Sequence, residues 1–159
     1  MKKRAPQLGD LFAVRGSDVV GRVVSTSAIV GPTHGCMLVY LYADPAHPSR
    51  DRLLLPPLLT TRAPWSHGLF VFVRSAPLLP GDYFERHAFR DVQGHLYDEE
   101  GRPLDAADAP VGDWALQRVD RVAAAVARAV SSSSSRSRTS RSSSPPRSTR
   151  KRTPKSKRP

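Results

Sequence analysis

A histidine and the single cysteine stand two positions apart, at His34 and Cys36. On a β-strand such a pair points to the same side, and a thiolate beside an imidazole is what cysteine nucleophilic catalysis requires. His34, however, belongs to a Gly-Pro loop, and Cys36 opens the most apolar segment of the sequence. Because unpaired cysteines are among the most buried residues in proteins, the sequence favours a buried, unreactive thiol.

A second group, His87, His95 and Asp98, carries side chains that bind divalent metals, and a hairpin could bring the three together. Their spacing matches no metal-binding loop, so the simpler interpretation is two surface histidines and a turn aspartate. We therefore expect neither a metal nor another cofactor. The motifs G-x-S-x-G, H-E-x-x-H, G-x-G-x-x-G and the Walker loop are absent from the sequence, which gives an enzyme the least support among the function classes.

Aromatic and acidic side chains near turns are the candidates for binding a protein partner. Trp65 follows a proline in a loop, where its ring would either anchor an interface or fold back to cap a small core. Three consecutive acids before Gly101 indicate a hairpin tip that could enter a basic groove. The predicted partner-binding residues are Trp65, Tyr83, Phe84, Asp98, Glu99 and Glu100.

Charge divides the chain into a balanced body and a cationic tail. Residues 131–159 hold ten of the 25 Lys and Arg residues and none of the 14 Asp and Glu residues, so the tail carries +10 and residues 1–130 carry +1. The tail contains only Ser, Arg, Lys, Pro and Thr, a composition that has nothing to bury and predicts disorder. A solubility extension and a phosphorylation target are two interpretations of it. The third is contact with nucleic acid, without sequence specificity, through Arg136, Arg138, Arg141, Arg147, Arg150, Lys151, Arg152, Lys155, Lys157 and Arg158.

Short apolar segments between turn residues predict a mainly β (α+β) fold, either a small antiparallel sheet or an SH3-like, partly open barrel with one C-terminal helix. Gly21 in the second strand predicts a bulge or a sharp bend, and residues 28–35 are predicted to form a loop. The prolines within 53–59 restrict that segment to a sheet edge. The predicted strands are 11–14, 19–25, 36–43, 68–74 and a meander over 83–97.

One helix is predicted at about 114–130, with Asp113 as its N-cap and an apolar face that covers an open end or edge of the sheet. The domain organisation is then a basic N-terminal extension at 1–7, a β-rich domain at 8–130 and the disordered tail at 131–159. No apolar stretch reaches the length of a transmembrane helix, and no signal-peptide core follows the basic start. We therefore expect no membrane partner and a cytoplasmic location, which a single cysteine fits.

The segment Leu8-Gly-Asp-Leu-Phe-Ala-Val14, a short turn and then Val20-Gly-Arg-Val-Val24 resembles the opening of the immunity protein 26 family of bacterial polymorphic toxin systems. The apolar segment 36–42 is similar in character to the third strand of that family. Gly81-Asp82-Tyr83 and the later segment 97–101 are compatible with its second half. The resemblance covers residues 8 to about 105, and the proline-containing segment 44–67 departs from the pattern.

This resemblance implies a non-enzymatic protein that binds a cognate toxin and blocks its active site. It transfers no functional residues. The alternative is a small nucleic-acid-associated barrel, similar to the toxin endoribonucleases that also open with a Gly-Asp strand. Those proteins carry an Arg-Pro pair after the second strand, and the segment Val23-Val24-Ser25 lacks it.

Overall fold

The computed structural model describes residues 4–138, with side chains as far as Ser133, and its first sheet has five strands. They are β1 (Leu11–Val14), β2 (Val20–Val30), β3 (Thr33–Leu41), β4 (Leu58–Thr60) and β5 (Phe70–Arg74). All neighbours are antiparallel, in the order β4-β3-β2-β1-β5. A short helix, α1 (Ala63–Ser66), links the two edge strands.

A second sheet follows along the chain, built from very short strands. They are β6 (Ala88–Arg90), β7 (Leu96–Tyr97), β8 (Pro103–Leu104) and β9 (Val111–Asp113). Their order is β8-β7-β6-β9, and β9 pairs with β6 in parallel. A long helix, α2 (Val119–Arg138), comes last in the described chain. The fold is therefore mainly β with a C-terminal helix, as the sequence predicts, and its sheets are open.

Both faces of the first sheet are covered at its centre, which explains why β3 is apolar along most of its length. Leu38 and Tyr40 point into one core cluster, which Phe89 of the second sheet completes. Met37, Val39 and Leu41 point the other way, into a cluster completed by α2. Full burial of such a side chain contributes about 1.5–3 kcal/mol, so the sheet is held from both sides.

The hairpin between β2 and β3 corrects the prediction of a loop at 28–35. Ala28 pairs with Cys36 and Val30 with Thr33, so the ladder continues to a tight turn at Gly31-Pro32. The prediction of a bulge or a sharp bend at Gly21 is also wrong. The register shifts of β2 lie between Val23 and Val30, beyond Gly21, whereas a Cβ at Gly21 would come within 2.4 Å of the Phe12 ring. Glycine is needed there because an aromatic ring packs on the backbone.

The proline-containing segment and the N-terminal residues both pack against the body of the fold. The segment 53–59 lies at one edge, as predicted, and continues into β4. Gly112 in β9 contacts this segment so closely that a Cβ would approach the Pro57 carbonyl oxygen within 2.3 Å. At the N-terminus, residues 4–7 are part of the body rather than an extension, since Pro6 is buried and the Gln7 amide donates to Asp10.

The C-terminal helix begins later and ends later than predicted. Asp113 is the last residue of β9 and not an N-cap, because the chain first returns to the sheet edge, where Gln117 N–H donates to the Leu59 carbonyl. The predicted apolar face is buried at Val122 and Val126, whereas Val130 on the same face is exposed. The helix includes residues 131–138, which the prediction assigned to the tail, and 139–159 lie outside the described residues. Within the described chain, no helix is long and apolar enough to cross a membrane.

Candidate functional site

The structure separates the residues of the two predicted catalytic or metal groups. Cys36 is buried, and its thiol contacts the Thr33 carbonyl at 3.4 Å, whereas His34 is exposed. Burial raises the pKa of the Cys36 thiol, as expected for an unreactive core cysteine. His87 is buried while His95 is exposed and lies beside Asp91, so no three potential metal ligands cluster among residues 4–138.

His87 instead belongs to a buried polar array with Tyr40 and Glu99. The Tyr40 hydroxyl lies 2.5 Å from Nε2 of His87 and accepts a hydrogen bond from the Phe84 amide at 3.0 Å. Nδ1 of His87 faces Oε1 of Glu99 at 3.5 Å, which is an electrostatic contact longer than a good hydrogen bond. The other carboxylate oxygen, Oε2, accepts from the backbone amide of His87 at 3.3 Å.

Burial also sets the protonation of Tyr40. It raises the pKa of Tyr40, so the hydroxyl is protonated at neutral pH and lies within hydrogen-bond distance of Nε2 of His87. Burial alone would raise the pKa of Glu99, but the nearby His87 ring and backbone amide donors hold it below its ordinary value. Glu99 is therefore a carboxylate at neutral pH.

Two of the predicted partner-binding residues cover this array. The Phe84 ring lies beside both Tyr40 and His87, and Arg50 donates to the Tyr83 carbonyl at 2.7 Å, which fastens the covering segment. Tyr40 has no solvent exposure and His87 only 3 %, whereas the Glu99 side chain is 28 % exposed, so the array runs from the core to its edge. Sequence reasoning missed Tyr40, although a buried tyrosine in an apolar strand requires a hydroxyl partner.

The acidic turn is largely neutralised by its own chain. Asp98 accepts hydrogen bonds from the Glu100 and Arg102 amides, and the Arg102 side chain pairs with both Asp98 and Glu100. Glu99 turns away from the tip, toward His87. The predicted row of three outward carboxylates is therefore divided between a salt-bridged tip and the buried array.

Trp65 lies elsewhere, in the second core cluster, edge-on to Phe12 and Phe70. It lines a pocket of about 250 Å³ beside β5, together with Arg4 and Phe72. The packing of Trp65 on the core agrees with the capping interpretation, and its role as an interface anchor stays a prediction. The structure brings Phe84 and Glu99 together around His87 and leaves Trp65 in a different cluster.

The strand next to Trp65 has the most apolar exposed segment of the sheet. Val71, Phe72 and Val73 are 48 %, 45 % and 53 % exposed, although strand residues of this type are usually buried. Within residues 4–138, β5 is an edge strand that pairs with β1 and with no other strand. The guanidinium of Arg4 stacks 4.2 Å from the centre of the Phe72 ring. We call Trp65, Val71, Phe72 and Val73 the β5 surface.

The predicted nucleic-acid-binding residues lie at or beyond the limit of the described chain. Arg136 and Arg138 fall in the last two turns of α2, where only the backbone is described. The other eight, from Arg141 to Arg158, lie outside the described residues.

Comparison with family models, with curated proteins and with solved structures found no match for this chain. The features available for assigning a function are thus the open β fold, the buried Tyr40–His87–Glu99 array and the β5 surface.

Proposed function

We propose that this is a non-enzymatic, immunity-type protein of the bacterial cytoplasm, whose β-rich body binds a cognate toxin protein and occludes it without any cofactor. The observation that carries the proposal is the β5 surface. Contiguous exposed apolar side chains on an edge strand are typical of protein-binding sites, because folded proteins otherwise cover or charge such edges. The resemblance of residues 8–105 to immunity protein 26 supplies the identity of the partner class.

The β5 surface is better suited to this role than the acidic turn. Binding at the β5 surface removes the apolar side chains of Val71, Phe72 and Val73 from water, which is favourable and breaks no ion pair. Binding at the acidic turn would first have to break the pairing of Asp98 and Glu100 with Arg102. Of the predicted partner-binding residues, Trp65 belongs to this surface and would supply the aromatic anchor that interfaces favour. The buried array and the segment that covers it involve the other predicted residues Tyr83, Phe84 and Glu99, and we assign these three a stabilising role in the fold.

The test is a binding titration between the full chain and the toxin domain encoded by the neighbouring gene. We expect the double variant Val71→Lys and Val73→Lys to weaken binding at least a hundredfold. The control is Val92→Lys, since Val92 is fully exposed in the turn between β6 and β7. An unmodified chain that binds no neighbouring gene product would overturn the immunity proposal. Equal weakening by the control would overturn the assignment of the surface.

The alternative function is non-specific association with DNA or RNA, and the charge of the tail favours it. Residues 131–159 carry +10 while the rest of the chain carries only +1, so such binding would depend on the tail. Ten cations that neutralise duplex phosphates would give a log K against log salt slope of up to about −9. Comparison of the full chain with a chain ending at Arg138 tests this function, and equal binding of random duplexes by both would contradict it.

A further inference from the structure

We infer that β5 recognises its partner by strand addition: an extended segment of the partner, apolar in its middle and acidic at both ends, pairs with the open edge at Phe72. The inference rests on the proposed function, because it uses the same surface and states how a protein would bind there. It adds a binding mode and a chemical class of partner segment to that proposal.

The hydrogen-bond ladder shows which backbone groups of β5 face outward. Leu69 C=O accepts from Arg15 N–H at 2.8 Å, so this pair is hydrogen-bonded across the two strands. Ala13 and Val71, two residues along, form the next pair of the same kind, because antiparallel ladders alternate. Phe72 follows that pair, opposite Phe12, so its N–H and C=O point away from β1; the register then shifts, and Leu11 pairs with Arg74. Among residues 4–138, no other segment bonds to them.

Side chains on both faces of this edge are partly exposed, and on one face the Arg4 guanidinium stacks on the Phe72 ring. Val71 and Val73 are exposed on one face, and Phe72 is half-exposed on the other. An added strand would cover both faces while it satisfies the amide and carbonyl of Phe72. Strand addition is the recognition mode in which backbone hydrogen bonds give affinity and alternate side chains give specificity.

Arginines define the charge that the added segment must carry. Arg15 lies against Gly68, a turn residue two positions before β5, and Arg74 is exposed at the end of β5. Among the described residues, neither makes an ion pair, whereas Arg4 is already bound to Asp10. Six residue steps separate Gly68 from Arg74, which corresponds to at most about 20 Å of extended chain. Acidic residues at that separation would face both arginines.

The same charges disfavour two other occupants. The chain's own basic ends, with Lys2 and Lys3 at one terminus and ten cations in 131–159, would meet Arg15 and Arg74 with like charge. A second copy in antiparallel pairing would place Arg74 of one molecule near Arg15 of the other. An acidic partner segment is therefore the occupant that the edge favours.

The probe is the synthetic peptide Glu-Asp-Val-Thr-Val-Thr-Val-Asp-Glu, blocked at both ends and titrated against the full chain. Hydrogen exchange followed by NMR reports the Phe72 amide, with the Val71 amide as an internal reference that β1 already protects. We expect the peptide to slow exchange at Phe72 at least tenfold and to leave Val71 nearly unchanged. The same peptide with N-methylated alternate amides should give no protection. Absence of protection at saturating peptide would overturn the inference.

Charge-reversal variants at the edge test whether the peptide binds there or to the cationic tail, because the tail is identical in all variants. The double variant Arg15→Glu and Arg74→Glu should bind a lysine-flanked peptide at least tenfold more tightly than the acidic one, reversing the preference of the unmodified chain. Arg90→Glu with Arg121→Glu is the control, since both arginines are exposed away from β5. A preference that the control reverses equally would overturn the role of the edge.

The remaining outcomes separate this inference from the proposed function. A toxin domain that binds without slowing exchange at Phe72 overturns strand addition and leaves the immunity role standing. If the toxin domain does not bind but the peptide still slows exchange at Phe72, the immunity role is overturned and the edge remains a peptide-binding site. Concentration-dependent dimerisation in sedimentation, with protection of Phe72 in the absence of peptide, would assign the edge to a second copy and overturn the acidic partner.

Discussion

Removal of one oxygen atom, in Tyr40→Phe, measures how much the buried array stabilises the fold. The hydroxyl bonds to Nε2 of His87 and accepts from the Phe84 amide, so the variant leaves two groups without a partner. Each unsatisfied buried group costs about 1–3 kcal/mol, and Phe84 N–H is only partly buried, so we expect a total loss of about 2–4 kcal/mol. For a body of this size that corresponds to a fall in Tm of about 6–15 °C.

Urea unfolding followed by tryptophan fluorescence is a suitable assay, because Trp65 and Trp114 pack against different core clusters. Coincident transitions of fluorescence and circular dichroism would license a two-state analysis. Tyr83→Phe is the matched control, since the Tyr83 hydroxyl makes no hydrogen bond within residues 4–138 and its loss should change stability by less than about 0.5 kcal/mol.

A double-mutant cycle with His87→Leu isolates the contribution of the Tyr40–His87 hydrogen bond. Leucine removes the imidazole that requires a partner, so Tyr40→Phe should cost at least about 1 kcal/mol less in that background. Additive losses within about 0.5 kcal/mol would refute the reasoning, because the two side chains would then act independently.

Four further predictions concern pH, packing, the thiol and the tail. Because the folded-state pKa of Glu99 lies below its ordinary 4.5, its carboxylate stabilises the fold above about pH 4.5, and this contribution disappears as pH falls through the folded value. Urea midpoints of Glu99→Gln and the unmodified chain should therefore differ at pH 7 and converge near pH 3; a gap that widens on acidification contradicts this. Gly112→Ala should cost about 1–3 kcal/mol, because its Cβ would press on the Pro57 carbonyl, and an unchanged midpoint would show that the backbone yields. Cys36 should react with a thiol reagent only at the rate of unfolding, so rapid labelling in native buffer would argue against its burial. Removal of 139–159 should leave Tm within about 2 °C, since the buried positions of α2 all precede it, and a loss above about 4 °C would place part of the tail in the fold.

The first sheet could be predicted from sequence because its strands are apolar and separated by turn residues. The segment 36–43 reads as a central strand, and β3 is indeed flanked on both sides. The second sheet was predicted only in part: the meander over 83–97 contains β6 and β7, which pair antiparallel, but its strands have two or three residues and little periodicity, so their bounds and the strands β8 and β9 were missed. The parallel pairing of β9 with β6 joins residues about 23 positions apart, and this pairing makes Asp113 a strand residue although it resembles an N-cap.

The candidate site depended even more on tertiary structure. The apolar character of residues 70–73 is visible in the sequence, but their exposure follows from the strand order, which places β5 at an edge. The contact of Tyr40 with His87 joins residues 47 positions apart, so no local pattern indicates it. The acidic run 98–100 was recognised, yet sequence spacing alone does not show that Arg102 folds back onto it.

Arg22 on β2 constrains the order in which the chain assembles. Its guanidinium donates to the carbonyls of Ala76 and Pro77 and lies near Asp82, partners that are 54 or more residues further along. The meander β1-β2-β3 is built from local contacts, whereas these partners of Arg22 come from the second half of the chain. The Arg22 guanidinium therefore exchanges water for protein oxygens only when that half docks, which ties a charged group of the first sheet to the segment that follows β5.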